Sequence, residues 1–303
     1  MSASDPKIDL MELADLAQPR KLALEIHRQL RLQYGAVPHR VPLEEIARAV
    51  GIKEIAEHET NAFEGLLVVV GDVGAVGLRK GMPFGRRNFT LGHELGHFLN
   101  PWHRRGTSRF ECNKVALDAS REKGGAFDAR TPLERMEVEA NEFAASLLVP
   151  APEFREQRKQ LGRDVDIQQI FDLARTFGVS KEFMARIFVD TATDKLCVLT
   201  SHEGRVGRII AQRSFPYLGL RAGAELPRGS RTTVVRRSKT SGFTSGLDEI
   251  GTSVWVEAHG AVSALYEQVA ILKNGWAMTL LLAEEEDADD DVDDNRWNRR
   301  SNR

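Results

Sequence analysis

The chain has no run of about 20 apolar residues, and no apolar stretch follows its first few residues. Neither a membrane-spanning helix nor a secretory signal is therefore legible, and the cytoplasm is the expected setting. Two cysteines in 303 residues, Cys112 and Cys197, make no disulfide framework. A strong charge of either sign is missing too, since the net charge is −2. Residues 284–303 hold nine acidic and four basic side chains, which leaves about +3 on the remainder. That is too little to argue for nucleic-acid binding from charge alone.

What is present is a hydrophobic fraction of 42%, enough to bury a sizeable core, in a length that suggests about two domains. The most informative stretch is His93-Glu94-Leu95-Gly96-His97. Two histidines four apart on a helix project from one face. They can grip one divalent metal, zinc above all, at about 2 Å from each ring nitrogen. Glu94 leans from that face towards the open side of the metal, where it can take a proton from water. Leu91, Leu95, Phe98 and Leu99 supply the apolar stripe of such a helix. Asn88 or Thr90 suits its start and Asn100-Pro101 its end. Gly92 and Gly96 disfavour a helix and so point to close packing or substrate access.

Before this stretch, Pro19 to Tyr34 reads as an amphipathic helix, and Pro42 opens a shorter one through Val50, closed by Gly51. Residues 1–16 read as a flexible N-terminus. Gly65 to Val70 and Ala75 to Arg79 read as strands joined at Gly71-Asp72. The edge of this small sheet suits an extended peptide bound by strand addition. An insert, residues 101–130, follows the motif. In it His103 reads as an exposed loop histidine, with a third-ligand or hydrogen-bond-donor role as the alternative. Cys112 reads as an inert buried thiol, with metal ligation or oxidation sensing as the alternative.

Thr131-Pro132-Leu133-Glu134 combines a threonine cap, proline at the first helical position and a reciprocating glutamate, and opens a helix that runs to Val149-Pro150. A catalytic zinc takes a third protein ligand and leaves a fourth position for water. At 100° per residue, Leu133, Met136, Ala140, Ala144, Leu147 and Leu148 form the buried stripe. Glu137 lies at its edge, with Asn141 a turn below. Glu139 points away and Glu134 is taken by the cap, so Glu137 is the expected third ligand.

With these residues in place, the sequence resembles the ImmA/IrrE family of zinc metallopeptidases over about residues 20–190. Phe89 to His97 followed by Glu137 to Pro150 carry the likeness. The resemblance implies a zincin-like peptidase core, zinc ligands at His93, His97 and Glu137, and a general base at Glu94. It also implies a protein substrate, a helix-turn-helix repressor, whose cleavage switches on stress-response or mobile-element genes. The chain departs from the family in its long insert and in Val149, where many members have Met. An N-terminal DNA-binding domain, present in some relatives, is not evident.

Further on, residues 165–190 have helix-turn-helix spacing around Gly178 and Ser180. Phe183, Met184, Ile187 and Phe188 demand burial, so packing is expected there rather than DNA reading. From 192 to 283, Leu196–Leu199, Val206–Ile210, Thr232–Val235, Val254–Val256 and Trp276–Leu282 read as strands of a mostly β domain. Its arginines, from Arg205 to Arg237, read as a solvated face, with a docking surface for an acidic partner as the alternative. Residues 284–303 read as a disordered tail. The expected fold is thus α+β. A mainly helical zincin-like core with a small sheet and an adjoining helical bundle spans 17–191, ahead of the β domain. The rival functions are a DNA-binding regulator with structural zinc, and a metal-bearing sensor that binds a repressor without cutting it. A closed four-ligand site including Cys112 would fit the sensor.

Overall fold

The computed structural model describes residues 5–105, 107–112, 131–256 and 262–285. It is an α+β fold with nine α-helices and two sheets among the described residues. Two compact units divide the chain, residues 1–184 and 185–303.

In the first unit, α1 (Met11–Ala14) precedes α2 (Pro19–Tyr34) and α3 (Leu43–Val50). Gly35 and Gly51 close the two longer helices in the left-handed conformation, with φ of +82° and +116°. Residues 5–14 are tied down, where the sequence suggests fraying. The backbone N–H groups of Lys7 and Asp9 donate to Gln33 and Gln29 on α2, and Leu13 is buried. Strands β1 (Ile52–His58), β2 (Gly65–Val70) and β3 (Val73–Arg79) follow, with Gly71 at φ +59° in the β2–β3 turn. β1 lies parallel to β3, and β2 is antiparallel to it. A short β4 (Arg109–Cys112) pairs antiparallel with the free side of β2, so the sheet order is β1-β3-β2-β4. Neither β1 nor β4 shows a readable pattern in the sequence.

Helix α4 (Phe84–Leu99) begins a turn before the expected start. Pro83 accepts from the Arg86 and Arg87 N–H groups, and Arg86 and Arg87 pair with Glu64, Glu57 and Glu44. Asn88, read from sequence as a cap, instead donates through Nδ2 to the Gly178 carbonyl at 2.9 Å. Helix α5 (Pro132–Leu148) opens with the full capping box of Thr131 and Glu134. Its buried stripe starts later than expected: Leu133 is 64% exposed, and Ala140, Phe143, Ala144 and Leu147 carry the contact. Gly92 and Gly96 let α4 and α5 approach closely. A Cβ on Gly92 would meet Ala144 Cβ at 3.3 Å, and one on Gly96 would meet Ala140 Cα at 3.0 Å.

Helices α6 (Ala151–Gln160), α7 (Ile167–Phe177) and α8 (Lys181–Thr191) complete the helical run. Gly178 turns at φ +67°, and Ser180 Oγ accepts from the Phe183 N–H. This turn packs on α4. Phe183 lies 5.4 Å from Phe89 between ring centroids, and a Cβ on Gly85 would collide with the Val179–Ser180 backbone. The division between the two units falls inside α8, where the sequence reading placed it just beyond.

In the second unit a five-stranded antiparallel sheet runs in the order β6-β5-β9-β8-β7, namely β5 (Lys195–His202), β6 (Arg205–Ala211), β7 (Asp248–Ile250), β8 (Val262–Ile271) and β9 (Trp276–Glu285). Two expected strands are absent. Thr232–Val235 lies in helix α9 (Arg231–Ser238), and Thr252–Val254 forms a 3-10 turn leading into buried Trp255. Both follow from Glu267 on β8, wholly buried, which accepts from the Arg231 and Thr232 N–H groups and from Trp255 Nε1. A carboxylate at the first N–H groups fixes a helix start and outweighs the β preference of Thr-Thr-Val-Val. Of the expected tail, Glu284 and Glu285 belong to β9, and 286–303 lies outside the described residues. No helix among the described residues is long and apolar enough to cross a membrane.

Candidate metal centre

α4 presents His93 and His97 one turn apart, as their spacing dictates, and both are fully buried. Their Nε2 atoms lie 3.0 Å from each other. Glu137, brought across by the close α4–α5 contact, places Oε2 at 3.3 Å from His93 Nε2 and Oε1 at 3.4 Å from His97 Nε2. Cys112 of β4 completes the group, with Sγ at 3.0 Å from His93 Nε2 and 3.8 Å from His97 Nε2. One ligand atom from each of the four residues lies within 4.8 Å of the others.

The outer hydrogen bonds settle which ring nitrogens are bare. His93 Nδ1 faces Asn141 Oδ1 at 2.9 Å, and an amide oxygen only accepts, so Nδ1 carries the hydrogen. His103 Nε2 lies 3.2 Å from a Glu139 oxygen and donates to it, leaving His103 Nδ1 to accept from His97 Nδ1 at 3.1 Å. Both inward Nε2 atoms therefore offer lone pairs to one point. Two lone pairs 3.0 Å apart repel unless a cation stands between them. A tetrahedral shell at about 2.0–2.3 Å spaces its donors by roughly 3.3–3.8 Å, which the separations between Glu137 and the two histidines match. The donor set of two imidazoles, a carboxylate and a thiol suits zinc.

Burial opposes ionisation of Glu137, but the close His93 and His97 rings outweigh it and hold the carboxyl below its ordinary range. Burial drives His97 down to about 4, which keeps it neutral. For His93 burial acts the same way, but Glu137 outweighs it and raises that ring. Burial raises the Cys112 thiol, and the Glu94 and Glu137 charges add to the effect. Glu94 is wholly buried with no N–H or O–H group donating to its oxygens, and burial lifts its carboxyl to about 7 against the opposing influence of His93 and the neighbouring Cys112 thiol. A carboxylate left in that state is costly, and water or a cation is its natural complement.

Three sequence readings change here. His103 is no exposed loop residue: it is fully buried and lies 5.1 Å from His97 between ring centroids. Glu139 does face away from His93 and His97, yet it is buried, because residues 100–103 fold back over it. It accepts from Asn100, Trp102, His103 and Arg135. Cys112 is no bystander in the core. Phe110 and Gly65 also shape the site without having drawn notice: Phe110 stacks on His97 at 4.7 Å, and a Cβ on Gly65 would fall 2.1 Å from Glu94 Oε1. Four residues are too few for a strand pattern to point to Phe110, and nothing local in the sequence marks Gly65 as a neighbour of Glu94. The remainder of the insert, 113–130, lies outside the described residues.

No curated protein matches the chain. A solved structure of a Mycobacterium tuberculosis transcriptional regulator is similar at a TM-score of 0.46 and 13% identity, over 90% of this chain and 74% of that one. At that distance the likeness says nothing about activity. Residues 72–188 match the IrrE N-terminal-like domain, Peptidase_M78, a metallopeptidase family. This segment spans α4, β4 and α5, which carry all four clustered residues. The part of the chain that builds the metal centre thus matches the family model, which supports the ImmA/IrrE resemblance read from the sequence.

Proposed function

We propose that the chain is a zinc-dependent endopeptidase with a zincin-like core, in which His93, His97 and Glu137 hold the metal and Glu94 is the general base. The observation that carries this reading is the pairing of two bare imidazole nitrogens against Glu137 with an unpartnered buried carboxylate alongside. When bound, zinc supplies Lewis acidity at the scissile carbonyl and makes water a stronger acid. Asn141 and the His103–Glu139 relay orient the two histidines and keep their inner nitrogens free of hydrogen. Glu94 takes the proton of the attacking water and returns it to the leaving amine. An ionised carboxylate is needed for the first act and its acid for the second.

The substrate is a helix-turn-helix repressor, cleaved in the cytoplasm to release stress-response or mobile-element genes. The family match of residues 72–188 supports this assignment. Comparing protein N-termini in stressed cells that carry wild type or Glu94→Gln tests it. One new N-terminus inside such a repressor, in wild type only, is the expected result. Identical N-termini, with zinc-loaded protein present in both strains, would overturn it. The sensor reading draws support from Cys112 at the cluster. Against it stands Glu94, a buried charge that neither binding nor scaffolding uses. DNA reading by α7 and α8 is disfavoured because their turn is spent on packing against α4.

A further inference from the structure

β4 alternates strictly: Arg109 and Glu111 are exposed, while Phe110 and Cys112 are buried. Among the described residues it pairs with β2 alone, over four residue pairs that run from Val68 with Arg109 to Gly65 with Cys112. The Glu64 N–H donates to the Cys112 carbonyl at 2.9 Å and anchors that end. The inward residues meet the metal centre directly, Phe110 as a lid on His97 and Cys112 through its sulfur. His93, Glu94, His97 and Cys112 are all fully buried, and Phe110 and Cys112 of β4 supply part of that cover.

We propose that Cys112 is the fourth ligand of the metal held by His93, His97 and Glu137, and that β4 thereby keeps the peptidase latent. The inference rests on the metallopeptidase reading above. When the sulfur binds, the metal–sulfur bond forms, the S–H bond breaks and the proton leaves to solvent. Thiolate and carboxylate together balance the charge of a dication. The thiolate fills the position that a catalytic site keeps for water. Glu94 distinguishes this arrangement from a purely structural centre, because it stands wholly buried beside the Cys112 sulfur that fills the position, with no N–H or O–H group donating to it. Lifting β4 removes the sulfur and the Phe110 lid together. It also bares the side of β2 to which an extended substrate can add as a strand. β4 thus occupies the place of the substrate.

The test uses the full chain loaded with cobalt(II), whose spectrum reports its ligands. Wild type, Cys112→Ala, Cys112→Ser, Cys197→Ala and Glu94→Gln are compared, with circular dichroism to establish folding. Wild type, Cys197→Ala and Glu94→Gln are expected to show a thiolate-to-cobalt charge-transfer band, and both Cys112 variants to lose it while still binding one cobalt. Acetohydroxamate, a small oxygen ligand, should then perturb the cobalt of the folded Cys112 variants at concentrations about tenfold or more below those for wild type. Wild type that binds cobalt without the band overturns the fourth ligand and leaves the three-residue site intact. A band lost with Cys112 but an equal response to acetohydroxamate overturns the latency. A chain that binds no cobalt at all overturns the metallopeptidase reading as well.

Discussion

Gly65 lies directly against the carboxylate of Glu94, on a backbone whose Cβ would sit 2.1 Å from Glu94 Oε1 and 2.7 Å from Thr90 Cγ2. The missing side chain on β2 is what gives the buried carboxylate its room. Gly65→Ala should displace Glu94 and crowd α4, at a cost of about 1–3 kcal/mol in stability. Metal should still bind, since His93, His97 and Glu137 are untouched. Denaturant unfolding and metal stoichiometry together check this. Unchanged stability would mean that α4 and β2 are free to part.

The relay from His97 through His103 to Glu139 sets the tautomer of a metal-facing ring without contact between Glu139 and the metal. Glu139→Gln should weaken zinc binding about 10- to 100-fold, the usual consequence of removing an outer partner. His103→Ala should do the same. A competition titration with a chromophoric chelator measures both. Affinity unchanged in both variants would show that the relay orients nothing.

Gly92 and Gly96 sit on the same helix but differ in what a methyl group would meet. At Gly96 the obstacle is the backbone of Ala140 at 3.0 Å, and at Gly92 it is the Ala144 methyl at 3.3 Å. Alanine gains about 1 kcal/mol over glycine in a helix. That gain should offset the milder contact, so Gly92→Ala comes out close to neutral. Gly96→Ala should destabilise by about 1–3 kcal/mol and move Glu137 away from the histidines. Equal melting temperatures for the two variants would contradict the difference.

His27 is buried, with Nε2 2.9 Å from the Leu147 carbonyl, and so ties α2 to the end of α5. Burial lowers its pKa from 6.5, opposed in part by the Leu147 hydrogen bond and by Glu153, while Arg31 acts with burial. Below pH 6.5 the unfolded chain takes up a proton that the folded ring still refuses, so stability falls as the pH falls. The loss is complete once the folded ring is protonated as well. His27→Gln keeps a donor for Leu147 and should flatten this part of the acid limb. Parallel urea melts at pH 7 and at pH 5 measure it, and an unchanged slope would exclude His27 as the source.

Much of the first unit was legible because its signals are local. The bounds of α2 and α3 follow from Pro19, Gly35, Pro42 and Gly51. Helical spacing alone was enough to bring Glu137 opposite His93 and His97. What escaped the sequence depends on contacts between distant segments. Four residues cannot display a strand pattern, so Cys112 reached the site through pairing with Gly65, 47 positions away. Glu139 was judged by its helix face, and nothing in Pro101-Trp102-His103 announced that the chain would fold back over it. Thr232 and Thr233 form a helix because Glu267, on a strand 30 residues later, holds its first N–H groups.

The shortness of β4 has one more consequence. With β4 lifted, β2 becomes the edge of its sheet, with a row of unpaired N–H and C=O groups beside Val68 and Val70, both already exposed. An edge of that kind is a template for any extended chain, another copy of this protein included. On the proposed latency, the opened chain would therefore take up either a substrate or a second copy of itself, and four residues of strand would hold it from both.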